Sequence, residues 1–365
     1  MAAAAALALL ALAAGAAAAW HFSSAVLVPD HSPWPAETRV EAMPPGRIVL
    51  ESGDRSERPG VYGLEWLGGR AIVGPVLSED DEEGTVTRRL RSVDGYLVPG
   101  MEVAFDSNVW AGDPTGALGL PSATVPIRGE LGAMPAWLVP GRERTWAIFV
   151  HGINGTPQSG LRVVPTLHRA GLPTMLITYR EDRGAPPSPD GFHHMGLTEW
   201  RDLEAAARYA IDRGARRLVL IGYSMGGAIV TQFMQRSPLA ERAAGLVLDA
   251  PVLDWQEVIA FNATEMGFPS IAALPVEWAI GARIDADWES LDAVQHPEDL
   301  QLPILLFHGT EDEVVPISTS DELAAEMPGR VTYFRVPEAG HTEGWNVAPS
   351  LYGRRLGAFI AGLSP

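Results

Sequence analysis

The segment Gly222-Tyr223-Ser224-Met225-Gly226 sets a serine between two glycines, after an apolar run and before a run of small residues. It has the G-x-S-x-G pattern of a sharp strand-to-helix turn, on which a serine hydroxyl stands exposed. Glycines two residues before and two after the serine let the backbone bend and let the helix close on the strand. A serine at a helix N-terminus also has backbone N–H groups and the positive end of the helix dipole aimed at developing negative charge. The chemistry open to such a residue is attack on a carbonyl carbon, with acyl transfer through a covalent intermediate. A bare G-x-S-x-G arises often by chance; here the flanking strand and helix supply the context it needs.

A serine hydroxyl is a weak nucleophile without a base, and the base needs an acid to orient it. Nine histidines are available. His21 and His31 lie near the N-terminal apolar run, His168 in a predicted helix, His193 and His194 in a Pro/Gly-rich loop, and His296 in a helix–loop region. His151 and His308 each end a predicted strand before a glycine, a position that suits loop bracing. His341, in Pro337-Glu-Ala-Gly-His-Thr-Glu-Gly344, follows the predicted strand Val331–Val336 and is the expected base. Asp312, in a loop past the predicted strand Ile304–Phe307, is the expected acid, 88 residues after Ser224 and 29 before His341. Asp249, past the preceding strand, is its rival, and Glu311 and Glu313 are further options. Two oxyanion donors are required. The N–H of Met225 is expected to be one, and the N–H of Ile153 in His151-Gly-Ile-Asn-Gly155 the other, with Asn154 as the fallback. That loop lacks G-x-G-x-x-G and is no dinucleotide fingerprint.

These residues need a frame that brings them to one rim. From about residue 122 short apolar strands are predicted at Trp146–Val150, Thr174–Thr178, Leu218–Ile221, Gly245–Leu248 and Ile304–Phe307, alternating with amphipathic stretches such as Leu197–Asp212 and Ala228–Arg236. The stretches Thr124–Arg128 and Ala136–Val139 read as a hairpin. The alternation predicts an α/β fold: a mostly parallel, doubly wound sheet with helices on both faces. In such sheets the chemistry gathers at the carboxyl ends of the strands. Before that, residues 47–121 read as a β-rich accessory region with turn-bounded strands, and the acidic run Glu79–Glu83 reads as a solvated turn.

The stretch 122–365 resembles the α/β-hydrolase superfamily. The matching residues are His151-Gly152 after a strand, Gly222–Gly226 at the turn, Gly309-Thr-Glu-Asp312-Glu-Val-Val-Pro316, and Gly340-His341. Within it the chain is similar to serine hydrolases akin to monoacylglycerol lipases, membrane-anchored acyl hydrolases and prolyl-oligopeptidase-like peptidases. The resemblance implies a Ser–Asp–His triad and no cofactor. Serine at position 224 argues against the dehalogenase and epoxide-hydrolase branches, which use aspartate there. Residues before Ser122 match no family that their motifs would name.

Composition narrows the functions further. The 365 residues include no cysteine, and all 27 basic residues are arginine. Thiolate chemistry, disulfides, Cys-based metal sites, P-loop lysines and Schiff bases are thereby excluded. A net charge of −18 argues against a nucleic-acid partner. Residues 2–20 carry no charge and hold 13 alanines and four leucines. At 1.5 Å per residue they span about 28 Å, near the thickness of a bilayer core. Residues 1–28 are therefore expected to be a transmembrane anchor with the catalytic domain extracytoplasmic, the alternatives being a cleaved export signal or a soluble Ala-rich helix. Residues 29–46, with five prolines, read as a linker. A small cap is expected over 251–302; its Trp255, Phe261, Met266, Phe268, Trp278 and Trp288 either line an acyl pocket or pack the cap onto the core. Glu181 and Asp182 read as a solvated loop, with contact to a cationic substrate as the other option. The function expected is hydrolysis of a carboxylic ester or lipid-like acyl substrate. A prolyl-oligopeptidase-like peptidase and a non-catalytic scaffold binding through residues 47–119 are the alternatives.

Overall fold

The computed structural model describes the backbone of residues 2–33 and 35–363, with side chains from residue 15 onward. Six strands close into an N-terminal barrel: β1 (Thr38–Ala42), β2 (Arg47–Glu51), β3 (Tyr62–Trp66), β4 (Gly69–Asp80), β5 (Thr85–Asp94) and β6 (Glu102–Asp106), in the order β1-β2-β5-β4-β3-β6. Every pairing is antiparallel. Val40, Ile48, Leu50, Leu64, Val73, Val86 and Val103 fill the interior. The strand β1 lies inside the segment read as a linker. Pro35 and Pro44 bracket it without entering it, and Val40 gives it an inward anchor. The acidic run Glu79–Glu83 is exposed at the β4–β5 hairpin, as expected.

The second sheet has eight strands: β7 (Ala123–Arg128), β8 (Ala133–Val139), β9 (Thr145–Val150), β10 (Thr174–Ile177), β11 (Arg217–Tyr223), β12 (Ala243–Asp249), β13 (Ile304–Gly309) and β14 (Val331–Val336). Their order is β14-β13-β12-β11-β9-β10-β8-β7. The six from β14 to β10 are parallel, and the β7–β8 hairpin adds on antiparallel through β8. Ile148, Val150, Leu220, Leu248 and Leu306 pack into one core layer, whereas Phe149, Val219, Ile221, Val247 and Phe307 pack into the other. Successive side chains of a strand point to opposite faces, so a sheet covered on both sides reads as unbroken apolar runs. The helices Trp200–Asp212 and Met225–Arg236 cover one face, and Pro349–Gly362 covers the other.

The N-terminal helix, Ala2–Leu27, ends against the body of the protein. Among the described residues no helix is long and apolar enough to cross a membrane, so the anchor expected over 1–28 finds no support there. The side chains of residues 1–14 lie outside the described set. From Trp20 onward the helix is committed to packing: Arg283 of the cap helix Ala273–Ile284 lies 4.5 Å from the Trp20 ring centre and donates to the hydroxyls of Ser23 and Ser24. Leu27 is fully buried, and its carbonyl accepts from the His193 N–H at 2.8 Å.

Arg88 is the largest fully buried side chain of the barrel. Its guanidinium donates to the carbonyls of Gly74, Ser56, Arg58 and Gly60 at 2.7–3.0 Å and lies over the Tyr62 and Phe105 rings. Burial lowers its pKa to about 10, so it is still charged at neutral pH. It ties the loop before β3 to β4 and β5. Arg88→Met orphans four carbonyls and should cost about 3–5 kcal/mol, read from the urea midpoint; a loss below about 1 kcal/mol contradicts this role.

Candidate active site

Ser224 sits between β11 and the helix Met225–Arg236 with φ 53° and ψ −122°. For a non-glycine residue this conformation costs about 1–3 kcal/mol and persists only where surroundings over-determine it. Here the Ser224 N–H donates to the Asp249 carbonyl at 3.1 Å, and its own carbonyl accepts from Gly227 and Val252. The flanking glycines are steric necessities: a Cβ at Gly222 would strike the Gly226 carbonyl, and one at Gly226 would strike that of Val150. Gly152 is equally constrained, since its Cβ would lie 2.8 Å from Cβ of Ser224.

Three strand ends converge on this turn. His341, past β14, places Nε2 at 2.8 Å from Oγ of Ser224 and Nδ1 at 2.8 Å from Oδ2 of Asp312. Asp312, past β13, has a fully buried carboxylate whose Oδ1 accepts from the N–H groups of Val314 and Val315, each at 2.9 Å. His308 Nε2 lies 3.2 Å from its Oδ2. Burial alone would raise the Asp312 pKa; the His341 charge and the hydrogen bonds from His308 and His341 outweigh it, so the carboxyl is held well below its usual range. Burial opposes the imidazolium of His341, but the charge of Asp312 and its hydrogen bond prevail, and the pKa rises. An arrangement of this kind can take a proton from the serine hydroxyl and hold the resulting cation.

Beside the turn lies the loop His151–Gly155, closed by a Gly155 N–H to Gly152 carbonyl bond of 3.0 Å. The Asn154 side chain braces this loop from outside: its Oδ1 accepts from the Asp30 N–H at 2.9 Å and from His193 Nε2 at 3.2 Å. Met225 opens its helix, where the first N–H groups lack intrahelical partners.

The rival acid and the side candidates take other places. Asp249 ends β12 fully buried, and among the described residues neither of its carboxyl oxygens has a hydrogen-bond partner. Burial raises its pKa to about 6, offset in part by the positive charge of Arg162. His151 and His308 are buried braces, as expected: His151 Nε2 meets Asp182 at 2.9 Å, and His308 Nδ1 meets Oγ of Ser320 at 2.7 Å. Asp182 and Glu181 are therefore not a solvated loop; both are buried, and Glu181 accepts from the Ser188 N–H. The cap aromatics divide. Trp255 is buried, donating to the Met195 carbonyl at 2.9 Å, and Trp288 packs on the core, whereas Met266, Phe268 and Trp278 are exposed. Among the described residues no group of three acidic or histidine side chains is placed to hold a metal.

Residues that the sequence reading passed over also meet at this site. Arg162 donates to the Thr342 carbonyl at 2.8 Å and to Oδ1 of Asn346 at 2.7 Å. Glu343, two residues past His341, is held by Arg58 and Tyr62 of the barrel region. The sequence signal of Glu343 is its nearness to His341, while its partners Arg58 and Tyr62 are 285 and 281 residues away.

Residues 188–348, which include Ser224, Asp312 and His341, match the prolyl oligopeptidase family. The eight-stranded sheet and its helices have the α/β-hydrolase fold. This fold is shared with crystal structures of a Pyrococcus furiosus esterase. One is 18% identical, covers 70% of this chain and 95% of its own, and has a TM-score of 0.56. A second crystal form is 17% identical, covers 69% and 96%, and has a TM-score of 0.55. Residues 39–106, the barrel strands, match a domain of unknown function, DUF8805. Uncharacterized proteins from two strains of Mycobacterium tuberculosis are 27% identical over 200 residues, which is 54% of this chain. The match spans only 62% of those relatives' length.

The two acids make opposite demands. Burial pushes the Asp249 carboxyl up to about 6 in the folded protein against 3.8 ordinarily, so the stability it allows is present below pH 4 and is lost as pH rises through 6. Asp249→Asn should therefore stabilise the protein at pH 8, by on the order of 2–3 kcal/mol, with the gain shrinking as pH falls from 6 to 4 and absent below that. Asp312→Asn should show no such gain at pH 8. Urea titrations at both pH values check the pair; an Asp249→Asn variant less stable than wild type at pH 8 contradicts the assignment.

Proposed function

We propose that this hydrolase cleaves carboxylic esters with Ser224 as nucleophile, His341 as base and then acid, and Asp312 as the group that orients and balances the imidazole. The single observation supporting it is the unbroken contact from hydroxyl to imidazole to buried carboxylate, both steps at 2.8 Å. Ser224 Oγ attacks the ester carbonyl carbon as His341 Nε2 takes its proton. The N–H groups of Met225 and Ile153 receive the oxyanion. Collapse expels the alcohol with the proton from His341, and water then attacks the acyl-enzyme by the same route in reverse. No cofactor enters these steps.

A lipid-like acyl group is the substrate class this reading favours, because Met266, Phe268, Ile271, Leu274 and Trp278 of the cap are exposed. The match of residues 188–348 to the prolyl oligopeptidase family supports a peptidase as the second reading. An extracytoplasmic location belongs to the same proposal, on the uncharged N-terminal run alone; recovery of the full-length protein in the cytosol removes it.

Ser224→Ala should lose at least about 10²–10³-fold in kcat on p-nitrophenyl esters, the scale of a lost nucleophile. Hydrolysis at the wild-type rate contradicts the triad. Because neutral imidazole is the working form, kcat/KM should fall on the acid side with a midpoint above the ordinary 6.5 of histidine. A panel of acyl esters and aminoacyl amides then separates the two readings: faster turnover of long-chain esters supports the first, and preference for the amides supports the peptidase.

A further inference from the structure

We propose that the N-terminal barrel is a positioning domain for the general base: Arg58 and Tyr62 grip the Glu343 carboxylate and so hold the loop that presents His341 to Ser224. The proposal rests on the triad reading above and adds to it a role for the barrel.

The loop Pro337–Asn346 is strained and is held from two sides. Glu338 and Thr342 both have φ near +55°, at 58° and 54°. Thr342 lies directly between His341 and Glu343, so its left-handed turn sets the direction in which the imidazole leaves the chain. Such conformations persist in non-glycine residues only when neighbours impose them. On the hydrolase side Arg162 takes the Thr342 carbonyl and the Asn346 side chain. On the barrel side Arg58 Nη1 donates to Oε2 of Glu343 at 3.1 Å, and the Tyr62 hydroxyl donates to the same oxygen at 3.2 Å.

The barrel reinforces this grip with backbone. Asn346 Nδ2 donates to the carbonyls of Val61 and Ser107 at 2.7 and 2.9 Å, and the Val61 N–H donates to the Asn346 carbonyl at 3.0 Å. Arg58 itself is fixed, because Arg88 donates to its carbonyl at 2.7 Å. Gly340, the residue before His341, faces the Arg58 guanidinium so closely that a Cβ there would collide with it. The chain of contact therefore runs from the barrel interior through Arg88, Arg58 and Glu343 to the imidazole, with fully buried Asn346 as a second tie.

Charge gives this arrangement a signature that a merely stabilising contact lacks. The groups facing His341 are Asp312 past β13, Asp249 at the end of β12, and Glu343 on its own loop, all of which favour the imidazolium. Those facing Glu343 are Arg58 and Tyr62, and Arg58 also lies 3.8 Å from Glu313. Removing the Glu343 charge lowers the affinity of His341 for its proton; removing the Arg58 cation leaves Glu343 unbalanced and raises it.

The experiment uses the full-length chain and a p-nitrophenyl ester, with kcat, KM and the pH profile measured for Glu343→Gln, Arg58→Met, Arg58→Lys and Tyr62→Phe, each checked for folding by its urea midpoint. Expected for Glu343→Gln and Arg58→Met is a fall in kcat of about 10-fold with KM within about twofold, since base placement and not substrate binding is lost. The acid limb should move down by about half a pH unit in Glu343→Gln and up by a similar amount in Arg58→Met. Arg58→Lys should recover most of the loss in kcat. Should Arg58→Met fail to fold, Tyr62→Phe, which loses one hydroxyl, decides the matter with an expected fall of about threefold. The proposal is overturned if the folded variants keep kcat within about twofold and the acid limb stays in place. A Ser224→Ala variant as active as wild type would instead overturn the triad reading, and the two failures are read from different proteins.

Discussion

A carboxylate withdrawn from water is the constraint around which this structure is arranged. The Asp312 side chain is fully buried, and unsatisfied it would protonate or unfold its loop. Two backbone N–H groups, His308 and His341 supply what water no longer does. Each of those donors is itself placed by the parallel strands: β13 carries His308 and the Asp312 loop, and β14 delivers the loop of His341. The same satisfied carboxylate fixes the imidazole tautomer, because Nδ1 must carry its proton toward Asp312 and leave Nε2 open toward Ser224.

Strain is the counterpart of that satisfaction. Ser224 has φ 53° and Thr342, next to His341, has φ 54°, and Asn154 at φ 53° lies in the neighbouring loop. None is a glycine, so each conformation is imposed from outside. The Ser224 turn is held by bonds to Asp249, Gly227 and Val252, the Asn154 loop by Asp30 and His193, and the Thr342 turn by Arg162 and Glu343. The segment after the N-terminal helix and the barrel thereby become parts of the support of the candidate site.

What could be read from the chain alone divides along the range of the interactions. The Ser224 turn was legible because strand, glycine, serine, glycine and helix follow one another within a dozen residues, and each carries a local steric reason. The apolar strands were legible because both faces of the sheet are buried. Asp312 and His341 were legible through chain order and strand-end position. The grip of Arg58 on Glu343 was not, since an arginine in a Pro/Gly-rich loop reads as an exposed charge until the fold brings a carboxylate to it from 285 residues away. The burial of Asp182 was hidden for the same reason, because its partner His151 comes from another strand end, 31 residues away. The strand β1 was masked by the prolines on either side.

The convergence of Ser224, His341 and Asp312 is tested most directly by trapping. A fluorophosphonate reacts with a serine only where a base has activated it, so peptide mapping of the labelled full-length protein reads the contact chemically. The account expects one adduct, on the peptide carrying Ser224, that is lost in His341→Ala. Labelling of a different serine, or undiminished labelling of Ser224 without His341, would contradict it.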